Sequence, residues 1–532
     1  MAIRLRLTTL FIVGAMHLSM PWTHLTHGAD GAANLDVRLS GERQALENTV
    51  DERFVTQLPL LILEFPDDGM GSIESGKAVL SVHNGAAMEN KVDQAPDIIA
   101  SVMAQSVDDT TAKPTYHIQL HDQPGQRLSL AGLPANSRWI LHGTAFDKGM
   151  LRNGLAYALG RELFKDAAPQ TRFCELLVKK GDSYRYDGVY ILAENDESSH
   201  ASDTAGDSFL LEYSPRTDRL AENTVRVGST IFADKTVWNT DDRTEARRQI
   251  VIGLTKLENT LQSVRPEAFL SYESMLDQRT VIDTYILNSL LMNALETKAP
   301  FRIQKRAGEG ALQFLPVWNF DFALDNSPRR DYPLPFEENL PETELPSLLS
   351  RRLPVWRTLE AGGDIRDLRV YPAYVALDGE SYYLFNRLFM SRSFLTGLYE
   401  RYHQLRRTAL SPENVQKAVD EMAAFLGPAL ARDWNRWRDT YAATEGALAL
   451  TPFVDDKGME HIRRTGSYDQ ELVKIRRNLR EQDGFLMKQM EQLPWMSVDL
   501  YDRGTAGNRQ AAYSIVTIVG LMVLMYLLSK KI

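Results

Sequence analysis

Leucines recur every four positions at Leu151, Leu155, Leu159 and Leu163, the stripe of an amphipathic helix that turns one face to a core. Other segments follow a different rhythm. Leu60–Phe65, just after Pro59, is a compact apolar run of strand length, and Tyr116–Leu120 alternates with period two. Phe173–Val178 and Gly188–Leu192 read as strands paired across a polar turn. Val281–Leu295 has the uniform apolarity of a buried helix, and a strand pair, Phe301–Gln304 with Leu312–Phe322, follows it. Beyond about residue 340 the pattern turns mostly helical. Ser411-Pro412 is a start signal, a capping hydroxyl with proline at the first helical position, and Val415, Val419, Met422, Phe425 and Leu426 form the stripe behind it. Gly427-Pro428 interrupts that helix before it resumes through Trp434 and Trp437, and Arg476–Gln492 is a further helix with one charged face. The mixture predicts an α+β fold with a helical C-terminal part. Stretches rich in acidic, Ser or Pro residues (30–50, Asn195–Asp207 and Pro328–Glu344) are expected to be the least ordered.

The two ends have their own patterns. Arg4 and Arg6 precede the short apolar run Leu7–Met16, too brief for a bilayer that needs about twenty apolar residues, so residues 1–29 read as a signal peptide. Ala511–Leu528 is uncharged throughout and would be about 27 Å long as a helix. Lys530 and Lys531 follow it, and Tyr513 and Tyr526 sit near its edges, so it reads as one C-terminal transmembrane helix. The expected organisation is a signal peptide (1–29), a flexible lead-in (30–54), a main domain (55–495), a juxtamembrane linker (496–510), the span (511–528) and a cytoplasmic tail (529–532). That order predicts a single-pass type I membrane protein with its main domain periplasmic or extracellular.

Composition narrows the chemistry. A length of 532 residues implies two or three packed lobes, and 44% hydrophobic with 24% charged residues is the balance of a folded chain. Sixty basic against seventy acidic residues leave a net charge of −10, which argues against nucleic acid as a partner. A single cysteine, Cys174, excludes an intramolecular disulfide framework and multi-cysteine metal sites. The ten histidines are scattered without HExxH spacing, and no GxSxG is present.

Three segments carry a resemblance. They are Ser137-Arg138-Trp139-Ile140-Leu141-His142 continuing through Asp147 to Arg152-Asn153, then Glu175-Leu176 with Gly188-Val189-Tyr190-Ile191-Leu192-Ala193-Glu194, then Pro316-Val317-Trp318-Asn319-Phe320-Asp321. In this order the chain resembles the CotH kinase family over roughly residues 55–495. The resemblance implies an atypical, bilobal, protein-kinase-like fold that binds ATP and Mg²⁺ and phosphorylates serine or threonine. Phosphoryl transfer needs a cation on the phosphates, oxygen ligands on the metal and an acid to orient the nucleophile. Carried over residue by residue, the resemblance offers Lys113, Glu175 and Glu194 for the nucleotide, with Glu175 as the ion-pair partner of Lys113. It offers Asp321 and Asn319 for the metal, and Asp321 and Glu296 for catalysis. Asp147 reads as a helix cap, and Arg152 and Asn153 as ties between that helix and the sheet.

The chain also departs from the family pattern. The third motif has Asn319 where the family has a first aspartate, which keeps an oxygen donor and removes a charge; alternation would set Asn319 and Asp321 on one strand face. Glu296 stands one residue away from an expected upstream aspartate. The turn before Lys113 carries Asp108 and Asp109 and no glycine, which disfavours close approach of phosphate. Two readings therefore stand. One is a surface-anchored kinase acting on an extracytoplasmic protein or polymer substrate, in a compartment where ATP is scarce. The other is a catalytically degenerate, pseudokinase-like binding or scaffold protein for an envelope protein or polysaccharide.

Overall fold

Seven strands close into a barrel: β1 (Leu60–Phe65), β2 (Gly76–His83), β3 (Ile98–Gln105), β4 (Thr115–Leu120), β5 (Arg138–His142), β6 (Thr171–Lys180) and β7 (Ser183–Glu194). The structure is a computed structural model, and it describes residues 54–66, 76–83, 98–105, 113–121, 127–181, 183–195, 208–214, 223–227, 230–238, 243–263, 265–293, 301–306, 310–326, 387–442 and 465–493, with a few shorter pieces. Neighbours run β1-β2-β3-β4-β5-β7-β6, all antiparallel except the closing pair, where β1 lies parallel to β6 with Leu60 opposite Glu175. Closure leaves no free edge. Alternation along each strand sends Leu61, Leu63, Leu80, Ile118, Trp139, Leu176 and Leu192 inward to one apolar core. The residues between them, such as His117 and Gln119 on β4 and His142 on β5, face outward.

α1 (Leu151–Phe164) leaves the barrel between β5 and β6 and is buried along most of its length. The four-residue leucine spacing places all four leucines in the larger core of the molecule. Gly160 is required there because a Cβ would fall 2.5 Å from the Trp318 ring. Beyond β7 come β8 (Phe209–Ser214), β9 (Thr224–Val227), β10 (Thr230–Asp234), α2 (Thr244–Leu261), α3 (Gln278–Leu290), β11 (Phe301–Lys305) and β12 (Gln313–Pro316). These strands form an antiparallel sheet in the order β9-β10-β8-β11-β12. α4 (Arg392–Arg406), α5 (Pro412–Leu426), α6 (Pro428–Arg436) and α7 (Tyr468–Gln492) complete the domain. Ser411 caps α5 by accepting the Asn414 N–H at 3.2 Å, and Gly427, at φ 45°, ends α5 and starts α6.

Two element boundaries differ from the sequence reading. The strand read as reaching Phe322 stops at Pro316, because the Asn319 carboxamide accepts the Asp321 N–H at 3.3 Å and folds the following residues into turns. Asn319 and Asp321 therefore sit on a turn and not on one strand face. The helix read as reaching Leu295 stops at Leu290, where the Leu291 carbonyl accepts the Leu324 N–H at 2.8 Å and Met292 adopts φ 48°. Among the described residues no helix is long and apolar enough to cross a membrane. The signal peptide (1–29), the linker, span and tail (496–532), Pro328–Glu344, and most of the lead-in (30–54) and of Asn195–Asp207 lie outside the described residues.

Candidate functional site

A cleft of about 840 Å³ runs between the outer face of β3–β5 and the sheet of β8 and β11, with the 317–321 turn at one end. That volume is within the usual range for a small-molecule site. His142, Glu194, Glu212, Arg302, Asn319 and Asp321 are among its walls.

Asp321 is held from two directions. His142, at the end of β5, brings its Nε2 to 2.9 Å from Asp321 Oδ1. Asn153, in the first turn of α1, donates from Nδ2 to the same oxygen at 2.6 Å. The orientation of that amide is fixed, since Asn153 Oδ1 accepts the Phe320 N–H at 2.7 Å and so turns Nδ2 towards Asp321. Asn326 ties the turn further, donating to the Asp321 carbonyl at 2.7 Å. Tyr157, one helical turn below Asn153, donates to the Trp318 carbonyl at 2.9 Å. Burial pushes its phenol pKa up, the Asp321 charge adds to the shift, and the Arg302 charge opposes it. Tyr157 thus senses both an anion and a cation of the cleft.

The same motif builds a second, wholly buried cluster behind the cleft. The Asp147 carboxylate accepts the N–H groups of Gly149 (3.1 Å) and Arg152 (2.8 Å), which is the capping role expected of it. Arg152 bridges Asp147 and Glu471 of α7 at 2.5 Å each and donates to the Ala323 carbonyl at 2.8 Å. Arg152 and Asn153 therefore tie α1 to the 319–326 turn and to α7, and Asn153 Nδ2, 3.2 Å from His142 Nε2 at the end of β5, also makes the tie to the sheet that the sequence predicts. Burial pushes the Asp147 carboxyl pKa up, and Arg152 offsets that only in part. At Glu471 the balance is reversed: burial raises the carboxyl, but Arg152, Lys474 and the Thr465 hydroxyl outweigh it and hold it at about 2.

A group depressed in the folded state adds stability above its unfolded pKa and loses it as pH falls through its folded one. The Glu471 contribution is therefore complete above pH 4.5 and disappears towards about pH 2. Over that window it amounts to roughly 3 kcal/mol. Urea unfolding at a series of pH values should show a shallower acid limb in Glu471→Gln than in the wild type. Parallel acid limbs would mean that Glu471 does not carry the acid sensitivity.

Lys113 and Glu175 do not reach the cleft. Lys113 Nζ lies 2.6 Å from Asp433 of α6, with both side chains 0% exposed, and sits 5.0 Å from the Tyr190 ring centroid. Glu175 accepts a bidentate pair from Arg432, at 2.9 and 2.8 Å, and the Tyr186 hydroxyl at 2.6 Å. The pairing of Lys113 with Glu175 is thus replaced by two separate pairs, each with a neighbour on α6. The reason is local: Asp433 also accepts the Val189 N–H at 2.7 Å, next to Gly188, whose φ of 116° and missing Cβ let α6 approach β7. Glu194, Asn319 and Asp321 do line the cleft together. Glu296 lies outside the described residues, as does most of the Ala104–Thr110 turn. The sequence reading missed His142 as a site residue and assigned Asn153 elsewhere.

Hard oxygen donors suit Mg²⁺, and the Asp321 carboxylate with the Asn319 carboxamide provides two at the cleft wall. Among the described residues no group of three or more His, Cys, Asp or Glu is placed to form a metal cluster. The family model of CotH kinase protein matches residues 106–475, most of the chain. No curated protein matches it.

Proposed function

The chain belongs to the CotH kinase protein family, and from that premise we propose that it is an atypical serine/threonine kinase of the cell envelope. In this reading the barrel and the β8–β12 sheet with its helices act as two lobes of a protein-kinase-like fold, and ATP occupies the cleft between them. The observation that carries it is Asp321, a carboxylate 5% exposed and positioned from both sides by His142 and Asn153 at the wall of an 840 Å³ cleft. Asp321 and Asn319 would hold Mg²⁺, which supplies charge neutralisation at the phosphoryl oxygens when bound. His142 and Asn153 keep the Asp321 carboxylate in place. Glu194 lines the nucleotide side, and Glu296 is the candidate acid to orient the attacking hydroxyl. The charged N-terminus with its short apolar run, and the apolar tail ahead of Lys530, support an extracytoplasmic domain on one membrane helix, acting on a protein or polymer of the envelope.

A competing reading is a non-catalytic binding module for an envelope protein or polysaccharide, and the sequestration of Lys113 by Asp433 favours it. Thermal unfolding of the full chain with ATP, with and without Mg²⁺, separates the two. The kinase reading expects a rise in melting temperature that needs both ATP and Mg²⁺, together with transfer of γ-phosphoryl to serine or threonine. No shift under any of these conditions would favour the binding module.

A further inference from the structure

A triphosphate in this cleft must meet a cation, because Asp321, Glu194 and Glu212 on its walls would otherwise repel it. Lys113 cannot serve. Drawing its ammonium into the cleft would leave Asp433 as an unpaired charge in a wholly buried place. We propose that Arg302, which lines the cleft with Arg138 and Lys235, takes this role and is a phosphate-binding cation of the cleft.

Arg302 stands on β11, opposite Glu212 of β8 in the antiparallel register. Glu212 accepts its Nε at 2.9 Å, and no described residue pairs with its two terminal nitrogens. One edge of the guanidinium is therefore fixed, and the other fork is left on the cleft wall, where the side chain is 16% exposed. A planar fork held in this way is suited to two oxygens of one phosphate, and its charge persists at any working pH. Tyr157, Arg302 and Asp321 line the same cleft, so the cation and the metal-type carboxylate share its walls. The inference rests on the kinase reading for its ligand, but its chemistry is that of any polyphosphate.

Calorimetric titration of the full chain with Mg·ATP, adenosine and inorganic tripolyphosphate tests it. Arg302→Gln should weaken tripolyphosphate and Mg·ATP about tenfold or more and leave adenosine unchanged. Arg302→Lys, which keeps the charge and loses the fork, should fall between the two, and it decides the question if Arg302→Gln does not fold. Mg·ATP binding that is equal in wild type and both variants overturns the role of Arg302 and leaves the kinase reading intact. Tripolyphosphate binding that depends on Arg302, without binding of Mg·ATP, supports the anion site and overturns the kinase reading. A wild type that binds neither polyphosphate overturns the inference.

Discussion

Asp433→Ala should destabilise the domain by about 3–5 kcal/mol, the usual cost of stranding one partner of a buried ion pair. Asp433 accepts from Lys113 Nζ at 2.6 Å, from the Val189 N–H at 2.7 Å and from the Tyr441 hydroxyl at 2.7 Å, and its side chain is 0% exposed. Alanine would leave all three donors without an acceptor, one of them charged. The double replacement Lys113→Met with Asp433→Leu removes both charges and should cost less than Asp433→Ala alone, although the two residues are 320 positions apart. Urea unfolding of the three variants measures this. A loss below about 1 kcal/mol for Asp433→Ala would show that the pair is hydrated and that α6 does not hold the barrel. The same geometry explains why residues 55–495 should unfold as one unit. A chain ended near residue 335 would lack Asp433 and Arg432, and Lys113 and Glu175 would both be left in the barrel without their oppositely charged partners.

Much of the local structure was legible because local patterns decide it. The run Leu60–Phe65 is a strand with those limits, α1 keeps its leucine stripe, Phe173 and Ile191 pair across the β6–β7 hairpin, and Ser411 caps α5. Asp147 was recognisable as a cap because a carboxylate shortly before a helix has backbone N–H groups within reach. The barrel was not legible, because its closure depends on one parallel pairing, β1 with β6, between segments more than a hundred residues apart. The same limit applies to the site. Lys113 and Glu175 are close in the fold, but α6 enters from the far end of the chain and takes each of them separately. Asp321 was singled out as the remaining carboxylate of its motif. His142 and Asn153, which position it, are ordinary residues in sequence and gain their role only where β5 ends against α1.

Asp321→Ala should abolish metal-dependent nucleotide binding, the largest functional effect expected of any single substitution in the cleft. Attraction between a carboxylate and Mg²⁺ at ligand distances of about 2 Å is worth several kcal/mol after competition from water, and no second described carboxylate shares the 317–321 turn. Asn319→Asp should act in the other direction. It adds a carboxylate beside the first and should tighten the metal-dependent part of binding, with little effect in the absence of metal. Calorimetric titration of ATP into the wild type, with and without Mg²⁺, and into Asp321→Ala shows whether the 317–321 turn holds the metal. Saturable heat is expected for the wild type with Mg²⁺, and the gain in affinity that Mg²⁺ confers should be absent from Asp321→Ala. Wild-type binding that survives Asp321→Ala unchanged would contradict this, because the metal would then be held somewhere other than the turn that His142 and Asn153 position.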